Sequence, residues 1–268
     1  MSTQNPQIGF IGAGNMASAL LEGLRSAGLS AAELHAFDLD ASKLKHVEEK
    51  GLATPSSSMK ELILRSEVVI LAVKPNVLLK VCTDLQADAP GPLWISIAAG
   101  LQLKSIEESL GGQARVIRVM PNTPALVGAG AAALAQGKYA TAEDLEQANA
   151  IMAASGRTAH VDEKLMDAVT GLSGSGPAFM MLIIEALADA AVKEGLPRQL
   201  SIEFAAQTMM GAAKLVLETG QHPAVLKDAV TSPGGTTIAG VAALEKTGLR
   251  KAMMAAVAAA TQRSRELS

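Results

Sequence analysis

The stretch Ile8-Gly-Phe-Ile-Gly12-Ala-Gly14-Asn-Met-Ala17 decides the reading of this chain. It opens on a buried-strand pattern, and Asn15 to Ala27 then reads as a helix. The junction is G-x-G-x-x-A, a dinucleotide fingerprint in the strand–turn–helix setting it requires. Gly12 permits the tight turn, Gly14 lets the backbone approach a pyrophosphate, and small Ala17 lets helix and strand pack closely. The helix start offers free N–H groups and a positive dipole end to phosphates.

Outward from that point the first half keeps alternating. Strands are expected at Glu33 to Phe37, Glu67 to Val73, Leu93 to Ala98 and Arg115 to Met120, with helical stretches such as Ser42 to Lys50 separating most of them. Ala129 to Ala135 reads as an additional edge strand. Strands alternating with helices predict βαβ units and a parallel sheet covered on both faces. From Glu163 onward no strand pattern appears. Helices are expected over Pro177 to Glu194, Arg198 to Glu218, Ala224 to Val230, Thr236 to Lys246 and Leu249 to Glu266. Gly195-Leu-Pro197 and Gly220-Gln-His-Pro223 punctuate them, since Gly ends helices and Pro suits their first turn. The fold class is therefore an α/β Rossmann-type N-terminal domain with a parallel sheet, residues 1–162, followed by an all-α domain, residues 163–268.

Composition narrows the functions. The 268 residues are 49% apolar, 2% aromatic and 18% charged, with a net charge of −3 and one Cys. So apolar a chain folds rather than staying disordered. The slightly acidic balance and scarce aromatics predict no nucleic-acid partner. The lone Cys82 excludes an intramolecular disulfide and fits a reducing compartment. The opening Met1-Ser-Thr-Gln-Asn-Pro-Gln7 is polar and uncharged, unlike a secretory signal. Unbroken apolar runs such as Ala178 to Ile184 fall short of the roughly 20 residues that span a bilayer. A cytoplasmic protein with no membrane partner is expected. Ala178 to Ile184 and Ala252 to Ala260 leave almost no polar stripe, and a helix apolar all round must be buried. About 100 residues of such helices scarcely bury each other, so an interlocked homodimer is favoured over a one-chain bundle.

The chemistry is expected at strand ends and in two helical-half loops. Asp38 lies near the spacing at which an acid accepts from the adenosine ribose hydroxyls. It favours NADH and repels a 2′-phosphate, and Lys43 and Lys45 are the nearest cations. Ala72-Val-Lys-Pro75, Ser96-Ile-Ala-Ala-Gly100 and Met120-Pro-Asn-Thr-Pro124 end strands where an open α/β sheet binds its ligand, so together they can wall a nicotinamide pocket. Leu172-Ser-Gly-Ser-Gly-Pro177 and Thr231-Ser-Pro-Gly-Gly-Thr-Thr237 combine glycines, hydroxyls and a helix start, a setting for a small carboxylate, with helix capping the bland alternative. His35, His46, His160 and His222 have neither metal-ligand spacing nor an obvious Asp partner, and no metal is expected. Cys82 reads as a buried thiol. No triad or carboxylate pair stands out, which suits a reaction whose main demand is hydride transfer.

At this point the residues resemble a family. Gly9 to Met16, Ala72 to Pro75, Ser96 to Gly100, Met120 to Pro124, Asp167 to Pro177, Leu226 to Asp228 and Ser232 to Thr237 occur together, in order, as in the pyrroline-5-carboxylate reductase family. The resemblance runs essentially end to end. It implies NAD(P)H-dependent reduction of the cyclic imine 1-pyrroline-5-carboxylate to proline. It also implies an all-α dimerisation domain interlocked with its twin, larger rings of dimers, and a site between one copy's cofactor domain and the other's helices.

By the same resemblance, Ile11, Gly12, Ala13, Gly14, Asn15, Met16, Asp38, Ser57, Ala72, Val73, Lys74, Pro75, Ala98, Ala99 and Asn122 are cofactor candidates. Ser175, Gly176, Glu163, Asp228, Ser232, Gly234, Gly235, Thr236 and Thr237 are substrate candidates. The Thr237 hydroxyl is the catalytic one, hydrogen-bonding the ring nitrogen. Family members that favour NADPH often carry a small hydroxyl residue at position 38, so Asp38 is a departure. The rival readings are a 3-hydroxyacid or phosphogluconate-type dehydrogenase, with Lys164 or Lys193 as its base, and a non-catalytic dinucleotide sensor. Neither lysine sits in the glycine-rich helical motif the first requires. The second has no need of the Ser232 to Thr237 loop.

Overall fold

The computed structural model describes residues 6–89 and 91–267. The opening residues 1–5, part of the stretch read above as unlike a signal, lie outside them. The chain divides into two compact units, one running to Ser175 and joined by the chain from Ala259, the other Gly176–Ala258.

The first unit is an eight-stranded sheet: β1 Ile8–Ile11, β2 Leu34–Phe37, β3 Thr54–Pro55, β4 Val68–Leu71, β5 Leu93–Ser96, β6 Val116–Met120, β7 Gly130–Gln136 and β8 Gly156–His160. Their order is β3-β2-β1-β4-β5-β6-β7-β8. All neighbours are parallel except β6 and β7. Helices α1 Asn15–Ser26, α2 Ala41–Glu49, α3 Met59–Arg65, α4 Pro75–Asp84, α5 Leu103–Ser109 and α6 Ala142–Ala153 connect the strands, and α7 Met166–Val169 follows β8.

Strand alternation sorts the core onto two faces. Ile8, Phe10, Val68, Ile70, Leu93 and Ile95 point to the layer that contains α1. Ile11, Val69, Leu71 and Trp94 point to the layer that contains α4 and α5. Ala17, Leu20, Leu21 and Leu24 form the buried stripe of α1, the i, i+3, i+4, i+7 spacing of an amphipathic helix. Such strands are buried on both faces, so they read as continuous apolar runs rather than alternating ones. Trp94 is fully buried, and its indole N–H donates to the Ala89 carbonyl at 3.0 Å.

One strand expectation changes, and two strands have no counterpart in the sequence reading. β7 is not an edge strand, because β8 pairs along its far side. β8 escapes the reading because Gly-Arg-Thr-Ala-His is short, polar and mostly exposed. Two-residue β3 is likewise too short to carry a pattern.

The second unit holds α8 Gly176–Lys193, α9 Arg198–Thr219, α10 Pro223–Ala229, α11 Thr236–Thr247 and the first part of α12 Leu249–Leu267. Ala188, Ser201 and Ala205 are buried, whereas Met181, Leu182, Phe204, Met210 and Leu217 remain exposed. Within the helical run Glu163–Lys193 an 18-residue window reaches a mean hydropathy of 1.5, long and apolar enough to cross a membrane by length and composition. Counting unbroken apolar residues missed this, because Ser, Gly and Thr interrupt the run without making it strongly polar.

Candidate active site

The fingerprint loop is fixed from both sides. Gly12 donates its N–H to the Phe37 carbonyl at 2.7 Å. Its φ is +104°, and a Cβ there would lie 2.6 Å from the Ala72 carbonyl oxygen. Gly12 is therefore required by its own dihedral and by the exit of β4. Gly14 differs: it caps α1 at φ −77°, no side chain caps the helix, and a Cβ would meet nothing within 4 Å. Open space before uncapped helix N–H groups is the cradle that a pyrophosphate needs. The residues fit a dinucleotide on this ground.

Asp38 follows β2 and turns onto the loop. Its Oδ2 accepts from Ala13 N–H at 2.8 Å, and its Oδ1 accepts from Asp40 N–H at 2.8 Å. Lys43 Nζ lies 3.6 Å from the same Oδ2. The cap of α2 is Asp40, which accepts from Ser42 N–H and Oγ–H. Beside the loop is a cleft of about 450 Å³, with Gly14, Asn15, Ser42, Lys43, His46 and Lys50 among its walls. Ser57 is exposed and donates through both N–H and Oγ–H to Glu61 Oε2, at 2.8 and 2.5 Å. Those bonds hold Glu61 below the usual carboxylate range.

At the other strand ends, Lys74 caps α4 with Pro75 in its first turn. Lys74, Pro75, Ala99 and Ser175 line one cleft of about 710 Å³ within the first unit. Val73 is half-buried and Ala98 is 5% exposed. Sequence reasoning missed Thr170 and Arg263, which line the same cleft. Arg263 reaches it only because the end of α12 joins the first unit, a tertiary event with no local signal.

Asn122 and Glu163 also have their side chains engaged within the protein. Asn122 is buried; its Nδ2 donates to the Ser173 carbonyl at 3.0 Å and its Oδ1 accepts from Ala131 N–H at 2.8 Å. It thus ties the exit of β6 to β7 and to the π-helical turn Thr170–Gly174. Glu163 Oε1 accepts from Leu103 N–H at 2.6 Å and from buried Arg118 Nη1 at 2.9 Å. That pair anchors the start of α5, just beyond the Ala98-Ala99 loop.

The substrate candidates Asp228 and Ser232 to Thr237 lie in the second unit. Gly235 caps α11 without a side-chain hydrogen bond, so the first-turn N–H groups of that helix have no side-chain cap. Gly234 has φ +69°, and a Cβ on Gly235 would run into Ser232 Oγ. The loop therefore calls for glycine at Gly234, whereas the contact at Gly235 is with a rotatable hydroxyl. Thr237 is exposed in the first turn of α11, and Asp228 is exposed beside Lys227 at 3.0 Å. Gly176 opens α8. Among the described residues no group of three or more metal-capable side chains converges. Buried His35 bonds Gln7 through Nε2 at 3.0 Å, and His222 caps α10 through Nδ1. Burial pushes the Cys82 thiol up to about 12, which leaves it a poor nucleophile.

Residues 163–267 match the family model for pyrroline-5-carboxylate reductase dimerisation, and residues 7–100 match the one for NADP oxidoreductase, coenzyme F420-dependent. The pyrroline-5-carboxylate reductase of Methanosarcina acetivorans is 49% identical over 98% of this chain and 98% of its own. The chain belongs to the pyrroline-5-carboxylate reductase family. Among solved relatives, the Coxiella burnetii reductase superposes with a TM-score of 0.94 at 37% identity, covering 99% of both chains. The Plasmodium falciparum pyrroline carboxylate reductase, solved with NADP bound, gives 0.88 at 34% identity, also covering 99% of both. Family membership carries with it self-association through the dimerisation region, where the exposed Met181 and Phe204 lie.

Proposed function

We propose that this chain reduces 1-pyrroline-5-carboxylate to L-proline with NAD(P)H, the final step of proline biosynthesis. The observation that carries the reading is 49% identity over nearly the whole length of a curated reductase. The proposed cofactor domain is residues 1–162 and the proposed dimerisation and substrate domain residues 163–268, although residues 163–175 and the end of α12 belong to the first compact unit. An interlocked homodimer, rings of such dimers and a cytoplasmic location are part of the proposal. The apolar Glu163–Lys193 helix then finds its cover in the dimer rather than in a bilayer, since the dimerisation match spans it.

Bound NAD(P)H supplies the hydride that reduces the imine carbon. The chain's residues bind and orient. The loop from Gly12 to Met16 receives the pyrophosphate, with Ile11 beneath it and Asp38 and Ser57 on the adenosine side. Ala72 to Pro75, Ala98, Ala99 and Asn122 form or brace the nicotinamide wall. Backbone N–H groups from Gly235 to Thr237 hold the substrate carboxylate against the cofactor domain of the other copy, and Ser232, Gly234, Ser175, Gly176, Glu163 and Asp228 are the other substrate candidates. Thr237 Oγ hydrogen-bonds the ring nitrogen and keeps the C=N bond oriented. The hydride's electron pair forms the new C–H bond, the C=N π pair goes to nitrogen, and the nitrogen carries one proton. An already protonated imine needs no further acid, so positioning dominates the catalysis.

The test follows the loss of reduced-nicotinamide absorbance on mixing full-length protein, NADH or NADPH, and 1-pyrroline-5-carboxylate, with proline measured as product. Proline formed mole for mole with cofactor oxidised is the expected result. No turnover with either cofactor, or activity confined to the oxidation of 3-hydroxyacids by NAD+ or NADP+, overturns the proposal.

A further inference from the structure

We propose that Lys43 is the residue that lets this site take a 2′-phosphorylated cofactor despite Asp38. The inference rests on the dinucleotide reading above. The residue after β2 in such a fold meets the adenosine ribose, and a free carboxylate there repels a 2′-phosphate. Asp38 is not a free carboxylate. Its oxygens accept from Ala13 and Asp40 N–H groups, and its side chain is only 15% exposed. Lys43 stands outside it, 46% exposed, with Nζ 3.6 Å from Asp38 Oδ2 and 3.8 Å from Asp40 Oδ2. Those distances are long for a hydrogen bond, so the ammonium balances two carboxylates without being locked to either.

Its neighbours favour the same outcome. Lys43, His46 and Lys50 stand at i, i+3 and i+7 along α2 and the residue after it, which puts them on one face, and all three line the cleft beside Gly14. Glu22 shares that cleft, but Lys50 Nζ pairs with it at 3.0 Å. Lys43 is thus the cation nearest the ribose end of β2. A Lys ammonium on a flexible stem serves as a point charge for phosphate, whereas a guanidinium would grip it bidentately. The expected outcome is a dual-cofactor site whose NADPH affinity depends on Lys43 and whose NADH affinity does not.

Equilibrium binding of NADPH and of NADH to the full-length protein, read by nicotinamide fluorescence, tests this in the parent, Lys43→Gln and Asp38→Asn. Lys43 is exposed, so Lys43→Gln leaves folding intact, which ligand-free thermal unfolding checks. In Lys43→Gln, NADPH binding should weaken about tenfold, the size of one charge-assisted contact, while NADH stays within about twofold. Adding salt should weaken NADPH binding to the parent more than to Lys43→Gln. In Asp38→Asn, NADPH should bind more tightly than to the parent. Equal losses for both cofactors in Lys43→Gln, no loss for either, or a parent that binds NADH alone overturns the role of Lys43. A parent that binds neither cofactor overturns the reductase reading itself, and this inference with it.

Discussion

Substituting the two fingerprint glycines one at a time separates folding from cofactor binding. At Gly12 a methyl group meets fixed backbone, 2.6 Å from the Ala72 carbonyl oxygen, 2.7 Å from its carbon and 3.1 Å from Val73 N. The φ of +104° adds a cost of about 1–2 kcal/mol for an L side chain, and overpacking adds about 1–3 kcal/mol. Gly12→Ala should therefore lose about 3 kcal/mol, and its ligand-free Tm should drop by about 6–12 °C. Gly14 has φ −77° and ψ −175° with open space around it, so Ala fits the folded chain. Restricting the unfolded chain contributes about 0.4–1 kcal/mol, and a poorer helix cap offsets a few tenths of that. The Tm of Gly14→Ala should stay within about 3 °C of the parent. On the proposed cofactor reading its methyl group nevertheless stands where the pyrophosphate approaches. Losing one charge-assisted hydrogen bond there costs about 1.5–3 kcal/mol, or roughly 10–100-fold in the NADPH Kd. Circular dichroism melts at one protein concentration and fluorescence titrations measure both quantities. If Gly14→Ala binds NADPH as the parent does, the loop does not hold the phosphates as reasoned. If Gly12→Ala melts with the parent, the close approach to Ala72 is not a constraint.

Three further outcomes are expected. Thr237→Ala should lower kcat about 10–100-fold with Tm within about 2 °C, because the side chain is exposed and bears on the reaction alone; parental kcat removes it from the mechanism. Glu107 is buried, and desolvation raises its carboxyl pKa above the unfolded value although Lys138 N–H donates to it at 2.7 Å. The folded state thus holds the proton more tightly, so this stabilising contribution is present below the unfolded pKa and is lost as pH rises through the folded one. Glu107→Gln keeps the acceptor for Lys138 and should raise Tm over the parent at about pH 8 more than at about pH 4; an equal offset at both refutes this. Finally, iodoacetamide at about pH 8 should leave native Cys82 unmodified by mass, since burial holds its thiol near 12; stoichiometric labelling of folded protein contradicts that.

The fold was legible where burial on both faces turned strands into apolar runs, as in Val68–Leu71 and Leu93–Ser96. It was illegible where a strand is held by its neighbour rather than by its own pattern. β8 is a mostly exposed Gly-Arg-Thr-Ala-His that exists because β7 offers it a ladder. The glycine loops were readable for a different reason. A positive φ at Gly12 or Gly234 is a demand that one residue type meets, so composition and conformation carry the same information there.

Polar side chains divide on whether their partners are local. Gly-rich loops and caps draw on residues a few positions away, so a motif contains both sides of the interaction. Asn122 reaches Ser173, Glu163 reaches Arg118, and Ser264 Oγ–H reaches Asp167 Oδ1 at 2.7 Å, each across a separation that no local pattern reports. Asp38 is the instructive case. Its spacing from Gly14 predicted an acid facing the ribose, and that placement depends only on β2 ending where it does. Its charge balance depends on Ala13 and Asp40 N–H groups and on Lys43, the first of which comes from another βα turn. Position along a strand is thus recoverable from sequence, whereas the effective charge at that position is a sum over folded neighbours. On the proposal made for Lys43, cofactor choice follows the sum, so substituting Lys43 tests preference more sharply than the identity of residue 38 does.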